Sequence, residues 1–312
     1  MLLECLNAVD AMNISDYETI VVDNGSHDGT LEAIRESYPS VTPVALNTNT
    51  GFSFANNVGI RASRGEYIAL LNNDTLVQPG WLGEMVKSLE ELPDYGLCAS
   101  KILMMERPNI ADACGDFFSV EGVAGKIGHG EVISNNDVPK PVFGASAGAV
   151  LYRRSMLEDI GLFDEDFFIT HEDTDLSFRA QLMGYRCMYV PNAVAYHHVG
   201  ATIGIGSDAA AYYTLRNSEL TYFKNMPDRL LWRFFHLHLL TNLLLLVAYS
   251  VRGQALTFAR AKLHAMQMMQ RTIQKRRNIQ RNRRVSDEYL ESVLTHGWLA
   301  SKVKERISGL RS

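Results

Sequence analysis

Short apolar segments alternate with helical patterns along the first 190 or so residues, and this alternation constrains the fold most. The β-branched run Thr19-Ile20-Val21-Val22 reaches Asp23, and a similar apolar run at residues 67–71 stops at Asn72. Further strands are predicted at residues 41–46, 143–152 and 185–190, the last closed by Pro191. Helices are predicted at residues 28–38, with Asp28 as N-cap, and at 52–62, 79–92 and 173–183. The pattern predicts an α/β domain with a mainly parallel sheet.

Residues 106–141 interrupt this alternation because they are rich in Gly, Asn and Asp and have weak periodicity. We expect loops and an irregular hairpin over the sheet there. From about residue 207 onward the pattern is helical to the end of the chain.

Charge divides the 312 residues into an acidic body and a basic tail, which we take as two domains. Residues 1–224 hold 14 Lys and Arg against 30 Asp and Glu, whereas residues 225–312 hold 16 against 5. The acidic body argues against nucleic acid as a partner, because phosphate contacts need clustered cations. The tail could meet anionic lipid.

The four cysteines, Cys5, Cys98, Cys114 and Cys187, are far apart and form no C-x-x-C pair. This spacing argues against a zinc ribbon or a disulfide scaffold and favours a reducing compartment. The N-terminal residues lack the basic and apolar regions of a secretory signal. We therefore expect a cytoplasmic protein.

The tail contains one very apolar segment, residues 230–251, interrupted by Arg233, His236 and His238. Only residues 239–250 are free of charge and His, which is short for a span that needs about 20 residues. An interfacial or core helix is therefore predicted, with a membrane surface as a partner of the C-terminal helices. A basic cluster follows downstream: Lys275, Arg276, Arg277, Arg281, Arg283 and Arg284.

Three polar clusters lie where ligands bind in open α/β sheets, at strand ends and helix starts. Asp23 and Asn24 follow the first strand, Asn72, Asn73 and Asp74 follow the third, and Glu172 and Asp173 precede a helix. Each cluster also has a structural interpretation, as an Asx turn, a strand-ending turn or a helix cap. Oxygen ligands such as those of the second cluster suit Mg²⁺ or Mn²⁺, and the crowded carboxylates of the third suit a general base. His197 and His198 add imidazoles at the same predicted edge.

The order of five motifs carries more information than any motif alone. These are V-D-N-G-S-x-D-G-T, N-T-G-F-S-x-A-N-N-x-G, L-L-N-N-D-T, G-x-F-D-E-x-F-F-x-x-x-E-D-x-D-L-x-x-R and P-x-A-V-x-x-H. Together they resemble the family 2 inverting glycosyltransferases of the GT-A fold, and within them the rhamnosyltransferase-like enzymes of bacterial surface polysaccharide assembly. The resemblance covers residues 1 to about 225.

The resemblance implies a role for each matching residue. Asp173 matches the catalytic base and Glu172 accompanies it, while Asp74 and His197 match metal ligands. The positions that match the nucleotide-sugar pocket are Asp23, Asn24, Asn49, Gly51, Asn56, Asn72 and Asn73. The small residues at 144–148 match the acceptor side.

The implied reaction is the metal-dependent, inverting transfer of rhamnose or another hexose from a nucleoside-diphosphate sugar to a hydroxyl group. The implied acceptor is a lipid-linked or polysaccharide glycan of the surface or cell wall. The apolar segment and the basic cluster of the tail predict peripheral attachment to the inner face of the cytoplasmic membrane. Relatives open with a strand that precedes the first helix, and this chain starts in what reads as that helix. We therefore expect a sheet without its first strand, and a truncated, inactive protein that only binds nucleotide or partner proteins is the alternative.

Overall fold

The computed structural model describes residues 1–134, 137–200, 204 and 206–301. These residues form two compact units. The first unit comprises the described residues of 1–116, 126–180 and 185–200, and the second comprises 117–125, 181–184 and those from 204 to 301. The predicted division into domains 1–224 and 225–312 stays a prediction.

The helices of the described chain are α1 (Leu2–Asp10), α2 (Thr30–Ser37), α3 (Phe52–Ala62), α4 (Trp81–Glu91), α5 (Arg154–Ile160), α6 (Glu172–Leu182), α7 (Asp208–Asn225), α8 (Asp228–Val251), α9 (Ala255–Asn282) and α10 (Asp287–Val293). The strands are β1 (Thr19–Asp23), β2 (Val41–Ala45), β3 (Tyr67–Leu71), β4 (Thr75–Val77), β5 (Tyr95–Met104), β6 (Arg107–Ala113), β7 (Asp116–Phe118), β8 (Ala124–Lys126), β9 (Lys140–Val142), β10 (Ala149–Arg153) and β11 (Arg186–His197).

The first unit is built on a seven-stranded sheet with the order β3-β10-β5-β11-β4, to which β6 and β9 add at β5 and β11. The long central pairing of β5 with β11 is parallel, and β1 pairs with β2 in parallel in a separate sheet. The other registered pairings of the large sheet are antiparallel. The α/β class is confirmed, with parallel order at the centre of the sheet.

Buried side chains on both faces explain why β5 lies at the centre. Nine of its ten residues are buried, and Leu97 and Cys98 lose all their accessible surface to the two clusters that flank the sheet. One cluster includes Trp81 and Met85 of α4, and the other includes Leu176 of α6. A strand buried on both faces is rich in apolar residues, and in β5 only Ser100 and Lys101 interrupt the apolar sequence.

β11 runs further than predicted, because Pro191 does not end it. The register against β5 shifts between Val190 and Val194, so the proline lies in a bulge where its missing N–H costs no ladder hydrogen bond. The strand then continues to His197, which faces Met104 of β5 and Thr75 of β4. The bulge therefore brings His197 beside Asp74.

Three further expectations need correction. Helix α2 begins at Thr30 with Gly29 as N-cap, although the Asp28 carboxylate accepts hydrogen bonds from the Thr30 N–H and hydroxyl groups. β10 begins only at Ala149, since the glycine-rich residues 144–148 before it do not join the ladder. Residues 106–141 contain three strands and the start of β9, and one of the three, β6, pairs with the central β5.

The second unit is mainly helical. Helix α9 packs along α7 and also contacts α8, and its Phe258 and Ala261 are buried with Leu215 of α7. Arg276 of the predicted basic cluster is buried and donates hydrogen bonds to the carbonyl groups of Phe223 and Met226. Part of that cluster therefore stabilises the fold.

Candidate active site

Asp74 and His197 meet at one edge of the large sheet. Asp74 lies between β3 and β4, is 3% exposed, and accepts the backbone N–H of His198 at 3.0 Å through its carbonyl oxygen. The Nε2 atom of His197 lies 3.5 Å from Oδ1 of Asp74. The antiparallel pairing of β4 with β11 fixes this approach.

Asp112 of β6 holds the other nitrogen of His197. Its Oδ2 atom lies 2.9 Å from Nδ1 of His197 and 2.8 Å from Nζ of Lys126. Burial alone would lower the pKa of His197, but Asp112 and Asp74 raise it to about 9. Burial would likewise raise the pKa of Asp112, but His197 and Lys126 hold that pKa below its usual range.

Asp173 lies at the start of α6 and is half-buried. Its Oδ2 atom accepts the Ala147 N–H at 3.2 Å, and its Oδ1 atom accepts the Thr174 N–H at 2.7 Å. Burial raises the pKa of Asp173, and these two backbone hydrogen bonds oppose the rise because they favour the ionised form.

Two more buried carboxyl groups surround Asp173. Burial raises the pKa of Asp116 well above its ordinary value, and the nearby charge of Asp173 adds to the rise. Glu172 is also buried, and burial together with Asp173 raises its pKa. The Oδ1 atom of Asp116 and the Oε2 atom of Glu172 have no hydrogen-bond partner within the described structure. Asp175, the third acid of the motif, instead pairs with Arg179 at 3.0 Å.

The backbone before α6 is conformationally unusual. Phe168, Thr170 and His171 have φ angles of 64°, 65° and 66°. Non-glycine residues rarely adopt this region, and such residues concentrate at functional sites. The turn delivers Glu172 and Asp173 to the first turn of the helix.

The predicted nucleotide segments form a hydrogen-bonded group. The Nδ2 atom of Asn24 donates to Oδ1 of Asn49 at 3.1 Å and to the Gly51 carbonyl at 3.2 Å. Gly51 has a φ of 86°, and a Cβ atom there would lie 2.5 Å from the Phe168 ring. Only glycine therefore lets this loop approach the turn that precedes Asp173.

The other residues predicted for the nucleotide-sugar pocket do not belong to this hydrogen-bonded group. The buried Asp23 accepts the Ser26 N–H, and Asn56 donates to the Phe52 carbonyl group of its own helix. Asn73 is exposed. Asn72 is half-buried, and its N–H donates to the Gly148 carbonyl at 3.0 Å.

The segment at residues 144–148 connects the two acidic ends of the site. Ala147 contacts Asp173, and the next residue, Gly148, contacts Asn72, two positions before Asp74. Three stretches that are distant in sequence, around residues 24–51, 72–74 and 168–173, are thus joined by direct contacts in the first unit.

A comparison with known protein families identifies the family of this chain. Residues 1–161, just over half of the chain, match Glycosyl transferase family 2. The chain belongs to that family.

Two relatives are named for O-antigen biosynthesis and for the synthesis of a poly-N-acetylglucosamine. The chain is 26% identical over 196 residues to the O-antigen biosynthesis protein RfbC of Myxococcus xanthus, a match that covers 60% of this chain and 15% of that protein. It is 27% identical over 207 residues to the poly-beta-1,6-N-acetyl-D-glucosamine synthase of Staphylococcus epidermidis, covering 64% and 47%. The matched region spans less than half the length of these relatives.

Solved structures support the GT-A fold. A mannosyltransferase from Pyrobaculum calidifontis in complex with GDP-Man and Mn²⁺ superimposes with a TM-score of 0.54 at 21% identity, covering 94% of this chain and 81% of that chain. GalNAc-T7 with UDP, GalNAc and Mn²⁺ gives a TM-score of 0.57 at 14% identity, covering 70% and 45%. The predicted glycosyltransferase class and fold are confirmed.

Three side chains of this family 2 site were not predicted: Asp112, Asp116 and Lys126. They lie in the region that the sequence predicts as loops. The segment Ala111-Asp112-Ala113 offers one signal, since it sets a carboxylate between small apolar residues, and all three are buried. A buried acid needs a partner or a function, and here it has His197 and Lys126.

The donor set fits a divalent cation that also binds substrate. Within the described residues, no group of three or more His, Cys, Asp and Glu side chains is arranged to hold a metal alone. Mg²⁺ and related hard cations commonly use one or two protein carboxylates plus substrate phosphates. Asp74 with His197, whose Nδ1 atom is held by Asp112, matches the carboxylate–histidine arrangement that orients metal ligands.

Proposed function

We propose that this family 2 protein transfers a sugar from a nucleoside-diphosphate donor to a glycan hydroxyl group, with inversion at the anomeric carbon. The observation that supports this most is the pair of adjacent contacts at residues 147 and 148. They hold Asp173 and Asn72, which lies two positions before Asp74, at neighbouring residues of one backbone segment. A general base and a diphosphate-binding group must lie near each other to act on the same glycosidic bond.

Asp74 and His197 would hold Mg²⁺ or Mn²⁺. When bound, such a cation neutralises the charge that develops on the departing diphosphate. Asp112 fixes the ring of His197, and Lys126 in turn pairs with Asp112. These residues keep the Nε2 atom of His197 directed at Asp74.

Asp173 would accept the proton of the acceptor hydroxyl group. Its raised pKa makes it a stronger base than an exposed carboxylate, while the Ala147 and Thr174 N–H groups fix both of its oxygens. The carboxyl groups of Glu172 and Asp116 lie close to that of Asp173. One base suffices because the nucleoside diphosphate leaves without protonation by a second carboxyl group.

The donor pocket would be formed by Asp23, Asn24, Asn49, Gly51, Asn56, Asn72 and Asn73. The N-N-D form of the triplet at residues 72–74 supports a rhamnosyltransferase-like member, with rhamnose or another hexose as the transferred sugar. The named relatives in O-antigen and polysaccharide synthesis support a lipid-linked or polysaccharide acceptor, reached at the cytoplasmic face of the membrane.

The test is the release of nucleoside diphosphate from a panel of sugar nucleotides with Mn²⁺, and again after the metal is removed with EDTA. We expect release from one donor class, loss of that release with EDTA, and recovery when Mn²⁺ or Mg²⁺ is added back. An inverted anomeric configuration of the product, read by NMR, completes the test. Donor binding without release from any member of the panel, with extracted glycan lipid as acceptor, would favour the binding-only alternative.

A further inference from the structure

Helix α8 of the second unit presents many of its apolar side chains outward, above all in its second half. It is the one helix of the described chain that is long and apolar enough to cross a membrane, yet only 17% of its most apolar window is buried. Leu243 is 57% exposed, Val247 55% and Val251 84%. A contiguous exposed apolar surface of this kind marks an interaction site.

A row of exposed apolar residues runs along one side of α8. Trp232, Leu239, Leu243, Val247 and Val251 recur at intervals of four or seven residues. Helix α9 continues the surface with the exposed side chains of Leu256, Leu263 and Met266. We call these eight residues the apolar face.

The buried side of α8 contains a polar network beside the inward-facing Leu230, Leu231 and Phe234. His238 is buried, its Nε2 atom lies 3.1 Å from the Glu219 carboxylate, and its Nδ1 atom lies 2.8 Å from the Glu121 carbonyl oxygen. Glu219 also pairs with Lys262 at 2.5 Å. Because this network anchors α8 within its unit, the apolar face is not needed for that packing.

The sequence of α8 and α9 is strongly basic, although two arginines of α8, Arg229 and Arg233, pair with glutamates of α10. Residues 229–286, which include nearly all of α8 and the whole of α9, contain 12 Lys and Arg and no Asp or Glu. Some of these cations have internal partners, such as Lys262, Arg276 and Arg283. Arg252 and Arg260 are exposed, and Arg260 lies between Leu256 and Leu263 on α9.

We propose that the apolar face docks on an anionic lipid bilayer, with α8 and α9 lying in the interface. The inward contacts of His238 favour this orientation over a span, because a spanning helix would carry them into hydrocarbon. Leucine and valine side chains enter the boundary between headgroups and acyl chains, while Arg252 and Arg260 meet lipid phosphate. The inference goes beyond sugar transfer and concerns where the enzyme works.

Flotation of the full chain with lipid vesicles tests the proposal without donor or acceptor, so its outcome is independent of transfer activity. Vesicles are phosphatidylcholine alone, or phosphatidylcholine and phosphatidylglycerol in equal parts. We expect binding to the anionic vesicles, and at least about tenfold weaker binding of the triple variant Leu239→Gln, Leu243→Gln and Val247→Gln. The double variant Arg252→Gln and Arg260→Gln is expected to lose about tenfold in binding to anionic vesicles and most of the lipid preference.

The matched control replaces two exposed valines of the first unit, Val132→Gln and Val138→Gln, and is expected to bind as the unaltered chain does. Circular dichroism and thermal unfolding confirm that each variant is folded. The proposal is overturned if the unaltered chain does not float with anionic vesicles, or if the triple variant floats equally well. It is also overturned if the triple variant converts a dimer of the chain to monomers, which would assign the apolar face to self-association. Failure of alkaline carbonate to release the chain from cell membranes would overturn it as well, because that result would indicate a spanning helix.

Discussion

The two ends of the candidate active site bury carboxylates in opposite electrostatic settings. At one end, His197 and Lys126 compensate Asp112, and the pKa of Asp112 is lowered. At the other end, Asp173, Asp116 and Glu172 are close together, and none of them has a hydrogen-bonded cation among the described residues. Burial raises all three pKa values, for Asp173 and Asp116 against the more distant charge of Lys126. A compensated carboxylate stays ionised and suits cation binding, whereas an uncompensated one gains proton affinity and suits base chemistry.

The sharpest test of this contrast is Asp173→Asn. An amide cannot accept the acceptor proton, so we expect kcat to fall by roughly 10²–10⁴, with donor affinity unchanged. In the unaltered enzyme the rate should fall as pH drops through the raised pKa of Asp173, because the base must be ionised. Steady-state kinetics and equilibrium donor binding measure the two quantities. The exposed Glu158→Gln is the control, and normal turnover of Asp173→Asn would remove it as the base.

The metal end is tested by Asp74→Asn. This variant keeps the side-chain volume but loses the charge that would hold the cation, so we expect Mn²⁺ affinity to fall by about 100-fold, the upper end of the loss known for supporting residues. Mn²⁺ binding followed by electron paramagnetic resonance gives the affinity directly. Unchanged Mn²⁺ affinity would show that Asp74 is not a ligand.

Asp112→Asn tests whether Asp112 only supports His197 or itself binds the cation. The His197 ring loses its anionic partner while Asp74 is retained, so we expect Mn²⁺ affinity to fall by about tenfold, less than for Asp74→Asn. The same resonance titration measures it. A loss as large as that of Asp74→Asn would indicate that Asp112 itself binds the cation.

The smallest effect is expected from Asp116→Asn. Burial and the nearby Asp173 raise the pKa of Asp116 well above its ordinary value, which favours the neutral form, and an amide resembles that form. We expect kcat to change by less than about tenfold, in contrast to the identical substitution at Asp173. Kinetics across pH compare the two variants. A loss equal to that of Asp173→Asn would mean that the two carboxyl groups share the base function.

Local sequence patterns were sufficient for the elements whose signals are local. β1 and β3 end at Asp23 and Leu71, as their apolar runs predict, and α3 has the predicted bounds. The Asn24, Asn49 and Gly51 group was also identified, because its residues lie in recognisable motifs. Hydrophobic periodicity, turn residues and motif order are properties of the sequence itself, so they can be recognised without the structure.

Other features depend on contacts between distant segments. Pro191 predicts the end of a strand, but the bulge against β5 lets β11 continue to His197. Asp112, Asp116 and Lys126 lie in a region of weak periodicity, and only the pairing of β6 with β5 brings Asp112 to His197.

The sequence by itself determined the α/β class, the family and the acidic motifs of this protein, because these follow from local periodicity and from the order of motifs. Tertiary structure alone decided which acids are compensated, since pKa depends on burial and on partners supplied by other strands. It also decided that Leu239 and Leu243 of α8 face outward, because the buried partners of His238 are Glu219 and Glu121, far from it in sequence.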